Sequence, residues 1–232
     1  MINVVYALTH HVYHMILPSM RSLAEHNADA RVFILAEDDK LPFELPMPAE
    51  VINITDQKYF EPDSPNYNNP YKYINLLKVC YPYVLPVEKV IHLDIDTIIL
   101  DSLQPLFDTD IEGKWFAACP EYQGQYKPFG DTYYNAGVLV INLKQMRQDK
   151  IILSMIEYLN SKPQPWADQD AWNIYGISMD KAIPFPLRYN ESPINGTTGD
   201  PAVIHYCGIS DWWTRRDMQR VEFLERYKDH DN

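Results

Sequence analysis

The sequence predicts an α/β fold with a largely parallel sheet. Three observations carry that reading. Short apolar runs alternate with segments of helical periodicity from the first residues onward. The apolar runs, such as residues 2–8, read as buried strands. The segments between them are either amphipathic or rich in Pro, Asn and Asp. No internal repeat and no low-complexity tract interrupts the pattern.

Residues 2–8 (INVVYAL) read as a buried first strand, and Val12, Ile16, Met20 and Leu23 follow at helical spacing. Residues 31–36 (RVFILA) form a second strand and 51–54 (VINI) a third. Between them LPFELPMP is too proline-rich for the interior of a regular element. EPDSPNYNNP is a further loop. Ile74, Leu77, Tyr81 and Val84 mark a helix that Pro82 breaks or kinks. Residues 89–93 (KVIHL) are a strand that runs into Asp94, and 115–119 and 137–141 are two more. Ile151, Ile152, Met155, Ile156 and Leu159 define an amphipathic helix. Residues 202–206 (AVIHY) are a late strand, and 217–227 a terminal helix with Met218, Val221 and Leu224 on its apolar side.

The chain has 232 residues, 46% of them hydrophobic, which is enough for one domain spanning 1–232 with a real core. Its formal net charge is -12 and it has no basic run, which argues against nucleic acid as a partner. Such acidity demands a positive group wherever an anionic ligand binds, and a metal ion supplies one. The three cysteines, Cys80, Cys119 and Cys207, form no CxxC pair and read as free thiols in apolar surroundings. The amino-terminal residues lack a basic leader and a cleavage site, and no stretch approaches a membrane span. No basic amphipathic tail follows Tyr227. A cytoplasmic enzyme is the expectation.

The most informative segment is VIHLDIDTIIL. Read as one strand, it puts Asp94 and Asp96 at i and i+2, on one face near the carboxyl end of the sheet, where α/β folds bind ligands. Two adjacent carboxylates repel unless they share a proton or a cation. Hard oxygen ligands suit Mg²⁺ or Mn²⁺, and such an ion stabilises a departing diphosphate. Solvated acids at a strand end are the plain alternative. A phosphatase of the haloacid dehalogenase type is another, but that motif usually opens its chain, and the downstream acidic motif is missing here.

The ordered motifs of the chain resemble those of glycosyltransferase family 8, the retaining family that includes glycogenin and bacterial galactosyltransferases of lipooligosaccharide synthesis. VVYALTHHVY is similar to the family's first strand and uracil-binding loop, with Leu8, Thr9 and Tyr13 at nucleoside positions. Lys78 matches a basic residue near the phosphates and sugar. HLDID matches the metal-binding DxD. YYNAGVLVINL places Asn135, Ala136 and Gly137 beside the donor sugar. Glu121, in ACPE, stands where many relatives carry an aspartate. DQDAWN places Asp168 and Gln169 at the sugar. HYCG, from His205 to Gly208, matches HxxG and makes His205 the third metal ligand after Asp94 and Asp96.

The resemblance implies a GT-A fold, Rossmann-like with a mixed, mostly parallel sheet flanked by helices. There is no GxGxxG, so phosphates would be held by Mn²⁺ or Mg²⁺. It further implies retaining transfer of glucose or galactose from a UDP-sugar to a carbohydrate or protein acceptor. Asp168, Gln169 and Asn135 are the expected catalytic group. Gln169, a neutral amide, is a poor nucleophile. It is expected to stabilise a front-side attack electrostatically, while Asp168 bonds sugar hydroxyls. Trp166, Trp212, Trp213, Tyr126 and Tyr133 are candidates to stack on an acceptor sugar.

One motif departs from the family. Its closing HxxGxxKPW reads HYCGISDWW here, with Asp211 at the lysine position and Trp212 at the proline. Arg215 or Arg216 is expected to reach back to the diphosphate, with Asp211 capping the last helix or pairing with the other arginine. The alternative is a nucleotide-sugar-binding module with weakened catalysis.

Overall fold

The structure, a computed structural model, describes residues 1–68, 72–121, 132–192, 197–208 and 211–228. Tyr126, and Ile209 and Ser210 of the closing motif, lie outside the described residues.

Seven strands form one sheet in the order β3-β2-β1-β4-β7-β6-β8. They are β1 (Asn3–Ala7), β2 (Arg31–Ala36), β3 (Ala49–Asn53), β4 (Lys89–Leu93), β6 (Phe116–Pro120), β7 (Tyr134–Asn142) and β8 (Ala182–Pro184). All neighbouring pairs are parallel except those that β7 makes with β4 and β6. A second sheet pairs β5 (Thr97–Ile99) with β9 (Val203–His205), antiparallel. This is the mixed α/β architecture that the alternation predicted.

The central strands are buried nearly throughout, β7 from Tyr134 to Ile141 and β2 from Val32 onward. This accounts for their continuous apolar runs. The helices are α1 (Ile16–His26), α2 (Lys72–Leu76), α3 (Tyr81–Val84), α4 (Gln104–Phe107), α5 (Leu143–Asp149), α6 (Ile152–Ser161), α7 (Asp168–Ser178) and α8 (Val221–Tyr227). Helix α1 is preceded by a 3-10 turn, His10–Met15, and buries Ile16, Met20 and Leu23. The helix expected around Ile74 to Val84 is divided into α2, a 3-10 turn and α3. Pro82 lies in the first turn of α3, where its missing N–H costs nothing.

Strands β5 and β8 and helices α4 and α5 escaped the sequence reading. The terminal helix starts at Val221 rather than 217, because Arg220 before it adopts φ 63° and interrupts the chain. Cys80 and Cys119 are buried free thiols and Cys207 is half-buried. Among the described residues no helix is long and apolar enough to cross a membrane.

Candidate active site

The two carboxylates do not share one strand. Strand β4 stops at Leu93 and β5 begins at Thr97, so Asp94 and Asp96 sit in the turn between them. The reason is a change of partner. Asp94 N–H still donates to Gly137 O of β7 at 2.8 Å, whereas Asp96 O already accepts from Tyr206 N at 2.9 Å, beside β9. Thr97 Oγ1 donates to Asp94 O at 2.7 Å and closes the turn. The acids converge through this reversal and not through the pleat.

The same pairing delivers His205. Thr97 lies opposite His205 in the β5–β9 register. His205 Nε2 stands 3.2 Å from Asp96 Oδ1 and 3.8 Å from Asp94 Oδ2. One ligand atom from each of Asp94, Asp96 and His205 lies within 4.8 Å of the others.

Strand β7 supplies the opposite wall. A Cβ at Gly137 would fall 2.0 Å from His205 Cε1, so only glycine admits the ring. Ala136 O accepts from Lys78 Nζ at 3.3 Å. Asn135 Oδ1 accepts from Gly137 N and from Asn190 Nδ2, each at 2.9 Å. Asn190 Oδ1 lies 2.9 Å from His205 Nδ1. Residues 135–137 thus touch Asp94 and His205 through Gly137, Lys78 through Ala136 and Asn190 through Asn135.

Lys78 is buried, and it sits 2.8 Å from Asp94 Oδ1 and 3.6 Å from Asp168 Oδ2. Burial lowers the Lys78 pKa, but Asp168, Asp94 and Asp96 together raise it above its ordinary value. Asp94 has the converse balance. Burial raises it, yet Lys78, His92 and His205 hold it well below the carboxylate range. Behind Asp94, His92 Nε2 lies 2.9 Å from Asp94 Oδ1 and His92 Nδ1 lies 3.0 Å from Tyr81 OH. Burial and the Lys78 charge push His92 down to about 4, so it is neutral at pH 7.

Helix α7 brings the third group of residues. Asp168 opens the helix, after Ala167 at φ 51°. Burial, and to a smaller extent Asp94, push the Asp168 carboxyl up to about 7 against the attraction of Lys78. Its Oδ2 is buried without a hydrogen-bond partner. Gln169 Oε1 accepts from Ala136 N at 2.9 Å, and its Nε2 donates to Glu121 Oε2 at 3.0 Å. Glu121 is raised, chiefly by burial, while its bonds from Gln169 and Asn135 lower it.

The expected nucleoside residues follow β1. Val5 pairs with His92 in the parallel β1–β4 register, so the ends of β1 and β4 emerge at one edge of the sheet. Leu8 is buried and its N–H donates to Leu35 O. Thr9 is half-buried and its carbonyl accepts from Val12 N. Tyr13 is buried; its OH donates to Asp38 Oδ2 at 3.0 Å and accepts from Glu37 N at 2.9 Å. Gly208 adopts φ 73°, a conformation that favours glycine.

Of the two roles expected for Asp211, the structure shows the arginine pair and not the helix cap. Asp211 caps no helix; its carbonyl closes a turn on Thr214 N and Arg215 N. Its carboxylate pairs with Arg215 at 3.7 Å, and Arg215 also holds Asp217 at 2.8 Å. Arg216 pairs with Glu225 at 3.2 Å. Trp212 stacks on Tyr206, and Trp213 packs edge-on to His14. Tyr133 OH donates to Asp170, and Trp166 is exposed. His92, Tyr81 and Asn190 were not predicted. His92 carried a signal, two residues before Asp94; Asn190 carried none.

Two carboxylates and one imidazole nitrogen in one small space form a donor set that suits Mn²⁺ or Mg²⁺. The glycosyl transferase family 8 model matches residues 3–217. The chain belongs to that family. A putative glycosyltransferase of Haemophilus influenzae is 30% identical over 167 residues, 63% of this chain and 49% of the relative. The chain spans about half the length of the first curated relatives it matches. Among solved structures, the galactosyltransferase LgtC, in complex with donor and acceptor sugar analogues, superposes with a TM-score of 0.72 at 22% identity, covering 98% of this chain and 97% of that one. The glycosyltransferase GlyE of Streptococcus pneumoniae gives 0.77 at 20% identity, covering 97% of this chain and 59% of that one. At these identities the two structures speak for the fold.

Proposed function

We propose that this chain, as one domain over residues 1–232, is a cytoplasmic, metal-dependent retaining hexosyltransferase. It would move glucose or galactose from a UDP-sugar to a carbohydrate or protein acceptor. The observation that carries the reading is the convergence of Asp94, Asp96 and His205 from two elements of the fold. Membership of family 8 supports the substrate class, and the likeness to a solved galactosyltransferase supports the fold that would carry it. A divalent ion held by these three residues supplies Lewis-acid neutralisation of the departing diphosphate.

The chain's own residues account for the remaining demands. Leu8, Thr9 and Tyr13 hold the nucleoside at the edge where β1 and β4 end. The buried Lys78 ammonium offsets the acids around it and orients both Asp94 and Asp168. Asp168 Oδ2, which faces Lys78 at 3.6 Å but accepts no hydrogen bond, accepts a sugar hydroxyl. Asn135, Ala136, Gly137 and Gly208 line the donor, with Asn135 held by Glu121 and Asn190.

The reacting carbon gains positive charge as the bond to UDP lengthens, and preorganised dipoles aimed at it lower the barrier. Gln169 meets that requirement. Both ends of its amide are tied, to Ala136 and Glu121, so its dipole needs no reorganisation. As a neutral amide it favours front-side attack by the acceptor over a covalent intermediate.

Asp211 supports a second reading, a nucleotide-sugar-binding module with weakened catalysis. Both expected substitute cations are engaged, Arg215 by Asp217 and Asp211 and Arg216 by Glu225. A panel of nucleotide sugars with Mn²⁺ or Mg²⁺, scored for UDP release, decides between the two. The transferase reading expects metal-dependent release from one hexose donor, lowered at least about tenfold, or 1.4 kcal/mol of barrier, in Asp96→Ala. UDP binding without release from any donor would favour the binding module.

A further inference from the structure

Asn190 follows the 3-10 turn Leu187–Tyr189 and is wholly buried beside His205. Its amide makes two side-chain contacts, one to Asn135 and one to His205, each at 2.9 Å. The main chain fixes which end of each amide faces which neighbour. Gly137 N–H can only donate, so the Asn135 atom it meets at 2.9 Å is the carbonyl oxygen. That oxygen only accepts, so the Asn190 atom facing it is the amide nitrogen. The other end of Asn190 is therefore its oxygen. An oxygen that only accepts requires a hydrogen on His205 Nδ1.

With its hydrogen on Nδ1, neutral His205 carries its lone pair on Nε2. That is the nitrogen 3.2 Å from Asp96 Oδ1 and 3.8 Å from Asp94 Oδ2. A lone pair and two carboxylates facing one another repel unless a cation lies among them, and a proton fills that place until a metal ion displaces it. We propose that Asn190 is a positioning residue for the metal site. It selects the Nδ1–H tautomer of His205 and so reserves Nε2 for the metal. The direction of the Gly137 N–H is passed through Asn135 and Asn190 to the ligand atom. Gly137 thereby acts twice on His205: its missing side chain makes room for the ring, and its amide sets the ring's proton. This inference rests on the metal-centred reading of the site.

The test compares wild type, Asn190→Leu and Asn190→Asp, with thermal unfolding to verify that each is folded. Aspartate keeps an acceptor for Nδ1–H and leucine does not. Manganese(II) affinity is read from the resonance of the free ion, with and without UDP. The His205 tautomer is read from nitrogen-15 spectra of histidine-labelled protein. Asn190→Leu should weaken manganese about 10–100-fold, as loss of a histidine's outer partner does. It should also lose the preference for Nδ1–H. Asn190→Asp keeps the acceptor for Nδ1–H but loses the donor to Asn135, so it should retain the Nδ1–H preference and bind manganese more tightly than Asn190→Leu. Unchanged affinity and tautomer in Asn190→Leu, or equal losses in both variants with Nδ1–H retained, would overturn the proposal. If wild type binds no manganese, the metal-centred reading falls. The tautomer spectra then decide alone: loss of the Nδ1–H preference in Asn190→Leu supports the positioning role, and an unchanged spectrum overturns it.

Discussion

The imidazole of His205 occupies the space where a side chain on Gly137 would begin. A Cβ there would lie 2.0 Å from Cε1, 2.6 Å from Nε2 and 2.7 Å from Nδ1. Both residues are held by main-chain pairing, Gly137 through Asp94 and His205 through Glu191, so neither backs away freely. Gly137→Ala should expel the ring from the site. Overpacking of this kind costs about 1–3 kcal/mol of stability. The diagnostic experiment is a double-mutant cycle with His205→Ala, followed by urea unfolding. The alanine at 137 should cost much less once the ring is gone. An equal cost in both backgrounds would mean that the glycine is required for another reason.

The Tyr81–His92–Asp94 chain predicts a second effect at a distance. His92 is neutral, and Asp94 is held ionised, so His92 Nε2–H donates to Asp94 Oδ1 and Tyr81 OH donates to His92 Nδ1. With Lys78 also on Oδ1, the other oxygen, Oδ2, is left facing His205. His92→Phe should weaken manganese(II) binding about 10–100-fold. Tyr81→Phe should do less, since one neutral hydrogen bond is worth about 1 kcal/mol. Calorimetric titration of both variants checks the order. Wild-type affinity in His92→Phe would show that Lys78 alone fixes Asp94.

The sheet was legible where strands are buried on both faces. Residues 31–36 and 89–93 are strands with the bounds that their apolar runs mark. The turn between β4 and β5 was not legible, because DID contains no glycine or proline and the apolar run continues through TII. Helix α5 buries only Leu143 and Met146, too few to show a period. The site showed the same division. Asp94, Asp96 and His205 stand in distinctive local sequence and do converge. Asn190 acts only through tertiary contacts, to Asn135 far back in the chain and to His205. Local pattern holds no trace of that.

Asp168 makes stability depend on pH. Its carboxyl is raised from 3.8 to about 7 in the folded protein, by burial first. The folded state therefore holds a proton that the unfolded chain has released, and stability falls as pH rises between those values. The full difference corresponds to roughly 4 kcal/mol. Asp168→Asn, which cannot ionise, should be more stable than wild type at pH 8 and close to it at pH 4. Thermal melts of the metal-free proteins across that range test the sign. A wild type that gains stability from pH 5 to pH 8 relative to the asparagine variant would contradict it.

The last prediction concerns the joint between the carboxyl-terminal segment and the strand that carries His205. The Glu191 side chain is wholly buried. One oxygen accepts from Thr198 N and Oγ1, and the other from Arg220 Nε at 3.0 Å. Arg220 also donates to Thr198 O, and its own carbonyl accepts from Tyr206 OH at 2.6 Å. The Glu191 main chain meanwhile accepts from His205 N and donates to Val203 O, so the buried carboxylate sits on the segment that aligns β9. Removing one partner of a buried pair leaves the other charge uncompensated, at about 3–5 kcal/mol. Arg220→Met should cost roughly that much in urea unfolding. Adding Glu191→Gln should recover part of the loss, because the unpaired charge disappears while the amide oxygen still accepts from Thr198. Asp217→Ala, which breaks only an exposed pair with Arg215, should change stability by less than about 1 kcal/mol. If Arg220→Met costs no more than Asp217→Ala, the pair contributes nothing to holding β9, and the alignment of His205 must rest on main-chain pairing with β5 and with Glu191.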